Sequence, residues 1–261
     1  MGQADPDINE LFAPLVPTQA FGVVLSEAQE VLPHVREPVD AELWGSDMIG
    51  ALSRSTPGEA AAAELAGVLV PAAEEAGTPQ ALALLRIFAA IGSPGLRAAA
   101  DQAADRVAAN GVAEQPWVAG LGLPAVGDCW HYGDVGGRQE SVTVSFAYGD
   151  KAHALSVLID HGRRGKIKDV WVGDATGLLD KTYLAAEADP LVVFERLGPA
   201  EAHRRLEQAI SAGESPDKPD QREAVAAHRA LLYARMNLLA VESAISPGKT
   251  GSPGDAGEPG E

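Results

Sequence analysis

The residue pattern predicts an α+β fold: an antiparallel four-strand β-meander flanked by an N-terminal helical block and C-terminal helices. Two changes of period carry this. Apolar residues recur at helical spacing through residues 37–116, then alternate with a period of 2 across 117–174. From 175 to 245 the helical spacing returns, and residues 246–261, rich in Gly, Pro, Ser and acids, are expected to form a disordered tail.

Residues 1–36 hold Pro6, Pro14, Pro17 and Pro33 around short apolar pieces and read as an arm with one or two short helices. A helix over Val39 to Arg54 turns Leu43, Ile49 and Leu52 inward. Thr56-Pro57, Thr78-Pro79 and Ser93-Pro94 then pair a capping hydroxyl with a proline suited to the first helical turn. Gly77, Gly92 and Gly111 fall where helices stop. Leu65, Val68, Leu69 and Ala72 mark the inward face of the first of these helices, which Pro71 should kink or shorten. The middle helix, with Leu82, Leu84, Leu85, Ile87 and Phe88, is apolar nearly all round and should be central.

In the meander, a first strand spans about Asp128 to Tyr132. Val142, Val144, Phe146 and Tyr148 alternate with smaller or polar residues, and Gly149-Asp150 forms a two-residue type II′ turn. That turn pairs Tyr148 with Lys151 and Phe146 with His153, which places His153 on the apolar face. Continuing the register pairs His161 with Lys166, Asp160 with Ile167, Leu158 with Asp169 and Ser156 with Trp171. One face is then a core of Val142, Val144, Phe146, Leu155, Val157, Val170 and Val172. The other carries Thr143, Ser145, Ser156, Leu158, Asp160, Asp169 and Trp171.

Beyond the meander, Leu178 to Ala188 and Pro199 to Ala212 read as helices, the second with Ala202, Leu206, Ala209 and Ile210 inward. The last helix, Asp220 to Ile245, spaces Ala224, Ala227, Leu231, Ala234, Leu238, Val241 and Ile245 as a heptad seam. Packing inside the monomer on the 199–212 helix is preferred. A homodimer through the 220–245 helix is the other use of the seam.

Composition narrows the function classes. The chain has 261 residues and a net charge of −17; residues 1–116 alone carry 5 Lys/Arg against 16 Asp/Glu, which repels phosphate backbones and argues against nucleic-acid binding. No apolar run approaches the roughly 20 residues of a membrane span, and the N-terminus has neither a signal-peptide pattern nor a myristoylation pattern. The single cysteine, Cys129, fits a reducing cytoplasm. Abundant Ala, Gly and Leu, with only 6 Lys among 20 basic residues, fit a high-GC bacterium.

No motif fixes a reaction. Pro247-Gly248-Lys249-Thr250 resembles the end of a phosphate-binding loop, but Ser243 stands where that motif needs Gly, and a helix precedes it. Gly120-Leu-Gly122 imitates a dinucleotide fingerprint, but Pro124 denies the following helix. No G-x-S-x-G elbow or HExxH spacing occurs. Arg163, Arg164, Lys166 and Lys168 make the one dense basic cluster.

Two candidate sites follow. Thr143, Ser156, Asp160, Asp169 and Trp171 form a polar face with an indole on it, suited to a peptide or small ligand. Cys129, His131 and His161 are the residues with metal-ligand chemistry. Asp160 and His161 stand together at a strand end, where chemistry often sits, yet strand neighbours point to opposite faces. The expected function is therefore a non-catalytic interaction or regulatory module with a protein or small-molecule partner and no cofactor. A metal-assisted hydrolase or metal-binding protein using Cys129/His131 and Asp160/His161 is the alternative.

Overall fold

The computed structural model describes residues 17–55 and 62–245. The tail reading and the phosphate-loop look-alike at 247–250 lie outside these residues, as does the Thr56-Pro57 cap.

Helix α1 (Pro17–Val31) ends in a 3-10 turn, and α2 (Pro38–Ser55) follows. A π-helical turn, Leu65–Leu69, runs into α3 (Val70–Ala76), then α4 (Pro79–Ile91) and α5 (Pro94–Ala109). Thr78 caps α4 as its spacing predicts, accepting from the Ala81 N–H at 3.2 Å. Ser93 precedes Pro94 but makes no such bond. The π turn corrects one expected face. Its extra residue per turn advances the phase, so Leu65, Leu69, Val70 and Ala73 are buried while Val68 is exposed. Helix α4 is central, with Leu82, Leu84, Leu85, Ile87 and Phe88 fully buried.

The sheet has five antiparallel strands, not four: β1 (Ala125–Asp134), β2 (Gln139–Tyr148), β3 (Lys151–Asp160), β4 (Lys166–Asp174) and β5 (Val192–Leu197), in spatial order β4-β3-β2-β1-β5. Gly149 takes φ 60°, and Asp150 does not share its positive φ, which is the type II′ geometry. The β2–β3 register is as expected, with Tyr148 opposite Lys151 and Phe146 opposite His153. Leu158 meets Asp169 and Ser156 meets Trp171, but a bulge at Lys168 then shifts the ladder. Asp160 therefore pairs with Lys166 and Ile159 with Ile167, which corrects the expected pairs at that end.

After β4, helix α6 (Ala175–Ala188) begins on an Asp174 cap and carries the chain across to β5 at the opposite edge of the sheet. Helices α7 (Pro199–Ala212) and α8 (Pro219–Ile245) complete the described chain. The sheet thus has an inner face under α7 and α8 and an outer face that, among the described helices, α6 crosses. On the inner face Cys129, Val142, Val144, Phe146, Leu155, Val157, Ile159 and Val170 are buried. Ala202, Leu206 and Ala209 of α7 are buried as expected.

Helix α8 buries a broader stripe than the heptad seam, including Val225, Leu232, Met236 and Leu239. Val241 and Ile245, at the end of the seam, are exposed. Its principal neighbour is α2, with α7 and β4 also against it. Gly50 makes the α2 contact close: a Cβ there would stand 2.2 Å from the Ala226 carbonyl oxygen. No described helix is long and apolar enough to cross a membrane.

One buried polar network ties the helical block, the sheet and α8 together. Glu42 of α2 accepts from the Tyr148 hydroxyl at 2.6 Å, the Gly122 N–H at 2.8 Å and the Arg235 guanidinium. Arg235 lies over the rings of Phe146 and Tyr148 and 3.2 Å from His153 Nε2. Burial, and then the Arg235 charge, bring the His153 imidazole down to about 4, so it is neutral at ordinary pH. The look-alike Gly120-Leu-Gly122 segment ends as a donor to Glu42, with no helix after it.

Candidate functional site

The strand pairings arrange the outer face in rows. Arg196, Trp130, Thr143, Ser156 and Trp171 form one row across all five strands. Phe194, Tyr132, Ser141, Leu158 and Asp169 form the next. Thr143 and Ser156 lie at the centre, 2.7 Å apart and hydrogen-bonded to each other. Both are buried, so this pair satisfies itself and does not present free hydroxyls. The surface offered beside it is aromatic. Trp130 stacks on Phe194 at 5.1 Å, the Arg196 guanidinium lies over the Trp130 ring, and Tyr183 of α6 meets Phe194 edge-on. The Trp130 indole N–H is enclosed yet has no hydrogen-bond partner among the described residues.

The two predicted acids do not join that surface. Asp160 accepts from the Gln139 amide at 3.2 Å, and Lys168 Nζ stands 4.0 Å away. Asp169 accepts from its own strand at the Val170 N–H and from Gln221 in the first turn of α8. Burial raises its carboxyl, against the pull of those bonds. The predicted ligand face therefore divides: Trp171 remains on the half-buried surface, Thr143 and Ser156 lie beneath it, and Asp160 and Asp169 serve as structural acceptors.

The cover over this face is thin. Within α6 only Ala175 is buried, while Tyr183 is 51% and Leu184 63% exposed. Leu191, just past the helix, is 63% exposed and its carbonyl accepts from the N–H of Val135, itself 60% exposed. Strand β5 pairs only with β1; no other described strand lies along its far edge. At the opposite edge the start of β4 is engaged: Ile167 exchanges backbone bonds with Gly213 and Ser215 at 2.9 and 2.7 Å.

The metal candidates also separate. Cys129 is buried opposite Val144 and Leu197, and its thiol is pushed up to about 12, by burial first and then by Asp128. It is a protonated core residue, not a thiolate ligand. His131 and His161 do meet, but on a residue the spacing did not single out. Glu140 Oε1 is 2.9 Å from His161 Nε2, and Oε2 is 3.2 Å from His131 Nε2 and accepts from Arg205 at 2.7 Å. Burial alone would raise the Glu140 carboxyl; the bonds from His131, His161 and Arg205 outweigh it and hold it at about 2. The hub is a carboxylate held ionised by hydrogen bonds and compensated by the Arg205 charge. No group of three His, Cys, Asp or Glu among the described residues is arranged to hold a metal ion.

Half of the basic cluster docks at home: Arg163 and Lys168 both pair with Asp217 in the loop before α8. Sequence reasoning missed Trp130, Tyr132 and Phe194 on the outer face. The run Leu191-Val-Val-Phe194 between Pro190 and Gly198 is a strand signal of β-branched and aromatic residues, and it would have located β5. No family model, no curated protein and no solved structure matches the chain.

Proposed function

We propose that the protein is a non-catalytic interaction module of the cytoplasm that binds its partner on the outer face of the sheet and the β5 rim beside it. The observation that carries this is the unequal covering of one sheet. Its inner face is packed into the core across β1 to β4, whereas its outer face pairs half-buried aromatics with a helix that leaves Tyr183 and Leu184 in solvent. Apolar side chains exposed beside aromatic anchors are the usual composition of a binding surface. The buried carboxylates of the sheet are committed to neighbouring side chains, as the Glu140 hub and the Asp160 contacts illustrate. The lone cysteine, free and buried, supports the reducing compartment.

The test is affinity retention from lysate by wild type and by a Tyr183→Asp/Leu184→Asp variant of unchanged melting temperature. Specific proteins retained by wild type and lost by the variant are expected; identical retention overturns the proposal. So does turnover on a broad hydrolase panel that Asp160→Ala or His161→Ala abolishes. A metal-assisted hydrolase retains one supporting observation, the meeting of His131 and His161 at Glu140. Elemental analysis of protein purified without added metal separates the readings, since a site with three good ligands keeps its ion.

A further inference from the structure

The far edge of β5 gives the proposed surface a specific partner chemistry. A strand with one neighbour presents a row of backbone N–H and C=O groups to whatever lies beside it. Here that row begins past the exposed pair Val135 and Leu191 and ends at the buried Leu197. The bond from the Val135 N–H to the Leu191 carbonyl sets the alternation, so Val193 and Glu195 bond β1 while Phe194 and Arg196 turn their backbone groups to the free edge. Side chains along it alternate. Val193 and Glu195 share the inner side, and Glu195 is exposed although its carboxylate lies 3.3 Å from His131 Nδ1. Phe194 and Arg196 share the outer side. Arg196 is tied to Asp128 and Trp130, so its charge is already answered. Glu187 and Asp189 are exposed just before the strand. The edge is therefore an apolar-lined, acidic template.

We infer that β5 receives an extended, basic segment of a partner protein as a sixth strand. Basic side chains of that segment face Glu195, and β-branched ones face Phe194. The inference rests on the reading of this surface as the binding site and adds the mode of binding and the charge of the ligand. Main-chain bonds supply affinity in such strand addition, and alternate side chains supply selectivity. Charge decides between occupants. A second copy of a chain of net charge −17 is repelled, and edge-to-edge pairing of two β5 strands brings the acidic rims together. A basic segment is attracted at long range and neutralises the rim.

The test uses the full-length protein and a synthetic peptide alternating valine with lysine. Controls alternate valine with glutamate, or proline with lysine at equal charge. Only the valine–lysine peptide is expected to bind, with slowed amide exchange at alternate residues of Val192–Leu197. Arg196→Pro, set against Arg196→Ala, removes one outward ladder donor and should weaken binding at least about tenfold. Methylating alternate backbone nitrogens of the peptide should do the same in one phase of alternation and not in the other, without touching the protein. Equal binding of the proline–lysine peptide, or no binding of any peptide, overturns the inference. So does a wild-type dimer that Arg196→Pro dissociates and Arg196→Ala leaves intact, since a second copy would then own the edge. If the peptide binds, Leu184→Asp abolishes it and the β5 amides stay unprotected, strand addition is wrong while the outer face stands as the binding surface.

Discussion

The inner and outer faces of this sheet are made by the same five strands, yet they are covered in opposite ways. On the inner side the enclosed carboxylates are matched: Glu42 takes three donors, and Glu140 takes two imidazoles and a guanidinium. On the outer side one helix among the described residues, α6, crosses aromatic rows and leaves its own apolar residues in water. The lesson is that alternation in a strand assigns side chains to faces, but the helices packed afterwards decide which face holds the fold together. Substitutions on the inner side should cost stability, and those on the outer side should cost binding.

The largest expected effect comes from Arg235→Met, which leaves the Glu42 carboxylate buried without its cation. A loss of about 3–5 kcal/mol in denaturant unfolding is expected, and adding Glu42→Gln should restore part of it. A loss under about 0.5 kcal/mol would show that the network does not join the three blocks. Gly50→Ala sets a Cβ against the Ala226 carbonyl and should cost about 1–3 kcal/mol, read as a lowered melting temperature.

Acid titration separates the two inner networks. The folded-state pKa of His153, about 4, lies below its ordinary 6.5, so the unfolded chain binds the extra proton first. Stability is therefore lost as pH falls from about 6.5 to about 4, and His153→Phe should flatten that stretch. Glu140, depressed from 4.5 to about 2, contributes stability above 4.5 that is lost as pH falls toward 2; Glu140→Gln should remove that lower stretch instead. One shared window, or none, would contradict the assignment. The smallest effect belongs to the outer side. Leu184→Asp should change stability by no more than about 0.5 kcal/mol, because its side chain is already in solvent.

Much of this architecture is legible in the residue pattern, and the misses have local causes. The valine-rich face, the Gly149 turn and the place of His153 follow from alternation, which needs only the pleat. The Lys168 bulge does not, because one extra residue leaves no mark on an already charged segment. Strand β5 was hidden by Glu195 and Arg196, which interrupt the apolar run; each finds its partner, His131 and Asp128, on β1 far away in sequence. The candidate site was legible to the same extent. Trp171 could be placed on the outer face from its strand alone, but Trp130 and Phe194 required the pairing of β1 with β5. The Glu140 hub likewise joins β1, β2, α7 and the turn after β3, a convergence no spacing in one strand reveals.

The crossing of α6 from one sheet edge to the other sets an order of assembly. Strands β1 to β4 are joined by short turns and can zip locally, whereas β5 reaches β1 only after its chain has spanned the whole outer face. Ring closure on that scale belongs late in folding, and a strand held along one side is released early when the native state breathes. Native-state hydrogen exchange should accordingly show the amides shared by β1 and β5 opening at lower free energy than those between β2 and β3. The last strand to arrive would then be the first to part, and the rim it forms would fluctuate while the inner core stays shut.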